Sequence, residues 1–256
     1  MRYESTTGLD AAQMTELVAR IFQVEAGRPW DERGRFQMGL RDQVRLTLTL
    51  LRTNLSQAMV GEFFGVSQST VSRVYRHVLP LLEQVTCLSR QDLAEVGRGR
   101  VVLVDGTYVP TGNRAETGRT NYSGKHHVQC LNIQVAAALD GTLLAVSAPV
   151  AGARHDSAAL DLVGWTHVLD DVEWVADTGY IAHSATTPIK KARGAERSEF
   201  EKTWNASVAS IRAAVERTIS HLKNWKILAT GYRGRLAELP RVIRIVTNLE
   251  LYRLGW

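Results

Sequence analysis

A run of apolar residues that leads into an acidic residue constrains the fold of this chain more than any other feature. The run is Val101-Val102-Leu103-Val104, and Asp105-Gly106-Thr107 follows it directly. A half-exposed strand would alternate apolar and polar residues, so this unbroken run predicts a strand buried on both faces. We predict that the strand ends at Asp105, where a carboxylate can bind a cation without being fully desolvated.

A second segment repeats this plan later in the chain. The short β-type run Val172-Glu173-Trp174-Val175-Ala176 leads into Asp177-Thr178-Gly179. For either aspartate alone, capping of a turn before glycine is the simpler explanation, because Asp-x-Gly turns are common. The two strand ends, together with a third carboxylate in a later helix, instead predict one shared site.

Composition and charge narrow the class of protein. The chain has 256 residues, 45% of them hydrophobic, and a net charge of +5, which together predict a folded domain with a sizeable core. Residues 212–256 hold nine Lys or Arg against three Asp or Glu, which indicates either a polyanionic partner or a solvated helix face. No stretch approaches the ~18 apolar residues of a membrane span, so we expect a cytoplasmic protein.

The segment from Ser56 to Leu79 has the order of a helix-turn-helix motif. Residues 56–64 predict a short helix, Gly65-Val66-Ser67 a tight turn, and residues 68–79 a longer helix capped by Ser67. The polar residues on the outer face of the second helix can hydrogen-bond base edges and phosphates. They are Gln68, Ser69, Thr70, Ser72, Arg73 and Arg76. An ordinary helical bundle with a Ser- and Arg-rich surface is the alternative.

The rest of the chain alternates strands and helices. Pro80 and the Gly-rich residues 91–99 indicate a passage between domains, so we predict a helical DNA-binding domain over 1–97 and an α/β domain over 98–256. Asp140-Gly141 between two apolar runs predicts a hairpin, and a helix is expected to begin after Gly152. The predicted long helix covers residues 199–228.

That long helix supplies the third carboxylate. Arg212, Glu216 and Lys223 lie four and seven residues apart and therefore share one helix face. A salt-bridged surface stripe is the simpler explanation for such a triplet. The neighbouring residues His155-Asp156 could also be read as metal ligands, but capping of a helix start by Asp156 and Ser157 is the simpler explanation.

Taken in order, these pieces resemble the DDE-superfamily transposases, and they are most similar to the insertion-sequence-five and Harbinger-type branch. The resemblance covers residues from about 35 to about 250. It rests on Val104-Asp105-Gly106-Thr107, Gly124-Lys125, Gly152-x-x-His155-Asp156, Ala176-Asp177-x-Gly179-Tyr180, Arg212-x-x-Val215-Glu216-Arg217 and Leu222-Lys223.

The resemblance implies a ribonuclease H-like mixed-sheet core preceded by an all-α helix-turn-helix domain. It also implies that Asp105, Asp177 and Glu216 hold two Mg²⁺ ions, with Mn²⁺ able to replace them, a ligand set suited to hard cations. Arg212 and Lys223 match the family's basic positions and, with Lys125, are expected to bind DNA. The family's tyrosine position is Ala209 here, which leaves the metal ligands unaffected.

The leading hypothesis is therefore a transposase that hydrolyses DNA at transposon ends to free a 3′-hydroxyl and then uses that hydroxyl to attack target DNA. We expect a homodimer or a larger synaptic oligomer, associated with the nucleoid when bound to DNA. Two alternatives remain open: a domesticated DNA-binding derivative that does not cut, and a ribonuclease H-like nuclease that acts on host nucleic acid.

Overall fold

The computed structural model describes residues 5–29, 36–87, 93–112 and 119–255. The described α-helices are α1 (Ala11–Ala26), α2 (Leu40–Thr53), α3 (Gln57–Phe64), α4 (Gln68–Thr86), α5 (Leu93–Gly97), α6 (Asp156–Leu162), α7 (Trp165–Leu169), α8 (Glu199–Leu222) and α9 (Leu239–Leu254). The described strands are β1 (Val102–Pro110), β2 (Tyr122–Ser123), β3 (Val128–Ala137), β4 (Leu143–Val146), β5 (Val150–Ala151) and β6 (Trp174–Val175).

These elements form two compact units. One unit comprises Met1–Arg90 and Lys223–Trp256, and the other comprises Gln91–Leu222. The predicted domains were residues 1–97 and 98–256; in the structure, α9 at the C-terminal end packs on α4 of the first unit. No helix in the described part of the chain is long and apolar enough to cross a membrane.

The first unit is all-α and contains the predicted pair of helices. Ser56 caps α3 and Ser67 caps α4, and Gly65 ends α3 in the left-handed conformation, as expected for a tight turn. Gly61 is required by this turn, because a Cβ atom there would lie 2.5 Å from the carbonyl oxygen of Val66. The prediction that Pro80 marks a passage between domains is wrong, since α4 continues through Pro80 to Thr86.

Contacts between α9 and the N-terminal helices close the first unit. Glu83 of α4 accepts hydrogen bonds from Arg241, at 2.7 Å, and from Arg244. Partial burial raises the pKa of Glu83, but the hydrogen bonds from Arg244 and Arg241 outweigh it and lower the pKa below the ordinary value. Trp225 is fully buried and donates its indole N–H to Glu250 at 2.9 Å.

The second unit is a mixed sheet with helices packed against it. The strand order is β2-β3-β1-β6, with β4 and β5 also pairing with β3. The β1–β6 pair is parallel and the pairs with β3 are antiparallel. Val102, Leu103 and Val104 are fully buried, as their unbroken apolar run predicts. The predicted mixed α/β class is confirmed.

Asp105 does not end the strand β1, contrary to the prediction. The strand β1 continues to Pro110, because β3 supplies antiparallel backbone partners for Leu103 through Pro110. On its other side, β1 pairs with β6 only at Val102 and Leu103. Asp105 therefore lies within β1 but two residues beyond the last pairing with β6.

Two further expectations can be compared with the structure. The Asp140-Gly141 hairpin is present, with Gly141 at φ 89° and the Asp140 carboxylate accepting the Thr142 amide at 2.8 Å. The long helix is shorter than predicted and ends at Leu222, six residues early. Helix α8 packs on β1 and β3, which brings its middle turns to the sheet near Asp105.

Candidate active site

Asp105 lies at the centre of a group of charged side chains in the second unit. One carboxylate oxygen accepts the Gly106 amide at 3.0 Å, and the other lies 3.3 Å from Nη2 of Arg212 on α8. Burial raises the pKa of Asp105, Arg212 opposes this effect and the charges of Asp177 and Asp156 add to it, so that the pKa lies at about 6. The structure therefore brings three acidic residues and one arginine into electrostatic contact.

Asp177 follows β6 and begins a single 3₁₀ turn at Thr178–Tyr180. Its carboxylate accepts the amide of Gly179 at 2.7 Å, which is the turn-capping role that Asp-x-Gly sequences predict. The same side chain is close enough to Asp105 for its charge to raise the pKa there. Capping and membership of a shared site are thus compatible, because the cap uses one oxygen and orients the carboxylate.

Asp156 is the residue that sequence reasoning assigned to the wrong role. The residue at the N-cap of α6 is His155, no side chain caps this helix, and Asp156 is its first helical residue. The Asp156 carboxylate instead lies against β1: a Cβ atom at position 106 would be 2.3 Å from it. Because position 106 is a glycine, the Asp156 carboxylate can lie this close to β1, next to Asp105.

A chain of hydrogen bonds between polar side chains connects Tyr180 in the core to Asp156. Buried Tyr180 donates its hydroxyl to Gln134, whose amide nitrogen donates to Asn132 at 3.0 Å. Asn132 in turn donates to the Asp156 carboxylate at 2.8 Å. Burial and the charges of Asp156, Asp105 and Asp177 raise the pKa of Tyr180, so the hydroxyl stays protonated and can donate. In the sequence, this network is indicated by Asn132 and Gln134, two polar residues two positions apart in the otherwise apolar strand β3.

The basic residues predicted for the site have different surroundings. The Nε atom of Arg212 is buried and makes no hydrogen bond with any described residue. Lys125 is exposed, with its amine 3.6 Å from the Asp156 carboxylate. Lys223 is the first residue after α8 and belongs to the other compact unit, so the prediction that it continues the helix face of Arg212 and Glu216 is wrong.

Glu216, the predicted third ligand, is exposed on α8 one turn after Arg212. Within the described residues, no three His, Cys, Asp or Glu side chains are grouped so that they could hold a metal ion. The charges that most affect Asp105 come from Arg212, Asp177 and Asp156. The structure therefore brings Asp177 and Asp156 close enough to Asp105 to affect its pKa, and leaves Glu216 exposed on the neighbouring helix.

The helix-turn-helix of the first unit presents the predicted polar face. Each of the six predicted residues is exposed or half-exposed, whereas Val71, Val74 and Val78 are fully buried. Arg73 and Arg76 reach only hydroxyls of their own helix, Thr70 at 3.4 Å and Ser72 at 2.8 Å. Neither arginine pairs with a carboxylate of any described residue, so both charges face solvent.

Known protein families match both the region that contains the candidate active site and the helix-turn-helix. Residues 104–250 match the family described as DDE superfamily endonuclease, and residues 37–88 match the helix-turn-helix of DDE superfamily endonuclease. No solved structure matches the chain significantly.

Two relatives carry the same assignment. The chain is 30% identical to a candidate transposase for insertion sequence element IS112 of Streptomyces albus G, over 87% of this chain and 83% of the relative. It is 24% identical to a candidate transposase for insertion sequence element IS702 of Microchaete diplosiphon, over 84% and 81%. Membership implies a ribonuclease H-like core, DNA binding and the use of divalent metal. The chain belongs to the DDE superfamily of endonucleases, with the helix-turn-helix domain of that superfamily.

Proposed function

We propose that this protein is a DNA transposase that cuts DNA at the ends of its own element to free a 3′-hydroxyl. That hydroxyl then attacks a phosphodiester of target DNA, which joins the element to the target and displaces a 3′-hydroxyl of the target strand. The observation that carries the proposal is the group formed by Asp105, Asp177 and Arg212, in a chain of an endonuclease family. The two relatives, both assigned to insertion sequence elements, support transposition over other DNA cleavage. Assignment to the insertion-sequence-five and Harbinger-type branch is part of this proposal.

The metal ligands in this proposal are Asp105, Asp177 and Glu216, with Mg²⁺ as the ion and Mn²⁺ as its replacement. Carboxylate oxygens are the ligands that these hard cations prefer, so the chemistry of the donors fits, although the three described side chains are not grouped closely enough to hold an ion as they stand. Glu216 makes no hydrogen bond or ion pair with a described residue, which leaves its carboxylate available. Two bound ions would activate the attacking oxygen and stabilise the leaving oxygen of the phosphodiester.

Arg212 has a positioning role in the same proposal. Its guanidinium lies against Asp105, and guanidinium groups bind phosphate oxygens through paired hydrogen bonds. The scissile phosphate would then lie between this arginine and the carboxylates. Because burial raises the pKa of Asp105 to about 6, that side chain is mostly ionised at neutral pH, and a bound cation would keep it ionised at lower pH.

DNA recognition is assigned to the exposed face of α4. We propose that Gln68, Ser69, Thr70, Ser72, Arg73 and Arg76 contact the ends of the element, and that Lys125, Arg212 and Lys223 contact the phosphate backbone. Two ends have to be held together for transposition, so a homodimer or larger synaptic complex is part of the proposal. The functional division into a DNA-binding domain over 1–97 and a catalytic domain over 98–256 is proposed with it.

The test is a nicking assay on duplexes that carry the inverted repeats flanking the gene, with Mg²⁺ or Mn²⁺. Asp105→Asn, Asp177→Asn and Glu216→Gln should each abolish cleavage while end binding stays close to wild type. Asp171→Asn and Glu173→Gln remove exposed carboxylates of the same unit and serve as controls that should cut normally.

Three results would contradict the proposal in different ways. Normal nicking by Asp177→Asn would remove that residue from the site. Specific end binding by a wild-type protein that never cuts with either ion would identify a DNA-binding derivative instead. Cleavage of host nucleic acid without preference for the repeats would favour the ribonuclease H-like nuclease.

A further inference from the structure

A basic segment at residues 187–197 is attached to α8 through the backbones of Thr187 and Ile189, at its start. The side chain of Asn205 forms two hydrogen bonds with Ile189, accepting its amide at 2.7 Å and donating to its carbonyl at 3.1 Å. The neighbouring Trp204 donates its indole N–H to the carbonyl of Thr187 at 3.1 Å. Because these bonds use only backbone atoms of the segment, its side chains are left available to solvent.

Four cations extend from this segment. Lys190, Lys191, Arg193 and Arg197 are all exposed, and the segment contains one acidic residue, Glu196. None of the four pairs with a carboxylate of a described residue, whereas the nearby Lys202 pairs with Glu199 at 2.6 Å. These cations have no carboxylate partner among the described residues and follow a backbone anchored at Thr187 and Ile189. They can therefore bind the phosphates of a polyanionic strand.

Exposed apolar side chains lie beside these cations on α8. Phe200 is 69% exposed, Trp204 38% and Ile211 41%, and their spacing of four and seven residues places them on one side of the helix. Aromatic rings next to backbone-binding cations are the usual composition of surfaces on which unpaired bases stack.

The segment is also close to the candidate active site along the same helix. Asn205, Arg212 and Glu216 are seven and eleven residues apart, so they project within about 40° of one another. At 1.5 Å per residue, Asn205 is about 10 Å along α8 from Arg212. A stacked DNA strand covers that distance in about three nucleotides.

We infer that residues 187–197, together with Phe200 and Trp204, form a second DNA-binding surface that holds unpaired DNA about three nucleotides from the phosphate being cut. The cations bind consecutive phosphates of that strand, and Phe200 stacks on a base. This inference rests on the proposed DNA cleavage at Asp105 and Asp177. According to this inference, the substrate contains a locally single-stranded segment beside the cut. The helix-turn-helix does not recognise that segment.

The first experiment measures binding of the full-length protein to a single-stranded oligonucleotide as a function of salt. Lys190→Gln with Lys191→Gln should reduce the slope of log affinity against log salt by about 1.4, because each phosphate contact of a single strand contributes about 0.7. Arg98→Gln with Arg100→Gln removes two exposed cations elsewhere in the same unit and should leave the slope unchanged. Equal slopes for the two double variants would overturn the inference.

The second experiment tests base stacking. Phe200→Ala should weaken single-strand binding by at least about 5-fold, and Phe200→Leu should not restore it, because leucine keeps apolar volume but lacks a planar ring. Phe22→Ala, at a residue 63% exposed in the other unit, is the matched control. Full affinity in Phe200→Leu would show that the ring does not stack on a base.

The third experiment separates this surface from the proposed function. Asn205→Ala keeps every cation but releases the backbone of Ile189, so single-strand affinity should fall while binding to duplex element ends stays unchanged. Wild-type cutting of a substrate already unpaired beside the cut should exceed cutting of the closed duplex. A protein that binds and cuts element ends, yet loses nothing in these variants, would refute the surface and leave the transposase proposal intact.

Discussion

Replacing Gly106 by alanine tests the contact that brings Asp156 to Asp105. The new methyl carbon would lie 2.3 Å from Oδ1 of Asp156 and 3.2 Å from its Cβ. An ordinary carbon–oxygen contact needs roughly 1 Å more, and rotating the carboxylate alone does not relieve the contact with Cβ. The backbone at Gly106 is ordinary β structure, so any loss of stability comes from this collision and not from strain.

The expected loss follows from two opposing contributions. Forcing extra volume into a packed site costs about 1–3 kcal/mol, and moving Asp156 also weakens its hydrogen bond with Asn132. Alanine restricts the unfolded chain more than glycine does, which returns about 0.4–1 kcal/mol. The free energy of unfolding of the second unit should therefore fall by about 1–3 kcal/mol.

Hydrogen exchange read by mass spectrometry on peptides from β1 and β3 measures this loss in the right unit. Gly124→Ala is the control, because Gly124 has nothing within 4 Å of an added Cβ atom. In the Gly106→Ala background, Asp156→Ala should recover part of the lost protection, since the colliding carboxylate is gone.

Equal protection in Gly106→Ala and Gly124→Ala would refute the reasoning, because a 2.3 Å approach cannot be accommodated without cost. A second contradiction would be strictly additive effects of the two substitutions. Additivity would show that residues 106 and 156 do not touch.

Three further predictions concern charge. Arg73→Ala should weaken binding to the element ends by about 1–3 kcal/mol if Arg73 reads a base edge, and it should relax sequence preference, as measured by competition with altered repeats. Lys223→Ala should lower the salt slope of duplex binding by about 0.9 without changing the preferred sequence; an unaltered slope would exclude Lys223 from the DNA contacts. Because the pKa of Glu83 is lowered in the folded state, its stabilisation is complete above the unfolded pKa of about 4.3 and is lost as pH falls through the folded value. Glu83→Gln should therefore destabilise the first unit at pH 7 but not at pH 2, as measured by urea unfolding.

Several features of this protein follow from short-range patterns in the sequence. The buried strand at Val102–Val104 follows from its unbroken apolar run, and the turn at Asp140-Gly141 from the conformations those residues favour. The pair α3 and α4 follows from two serine caps and a left-handed glycine. In each case the signal and the structure lie within a few residues of each other, so local energetics decide the outcome.

The tertiary structure decided which of these local features meet. Nothing near Gly106 in the sequence indicates that the Asp156 carboxylate fills the space beside it, since the two residues are fifty positions apart. The extension of β1 past Asp105 depends on partners from β3, and the place of α9 depends on Glu83 meeting Arg241 and Arg244. Such contacts form only when distant segments pack together, because each needs a backbone partner, a cavity or an opposite charge that the local sequence does not contain.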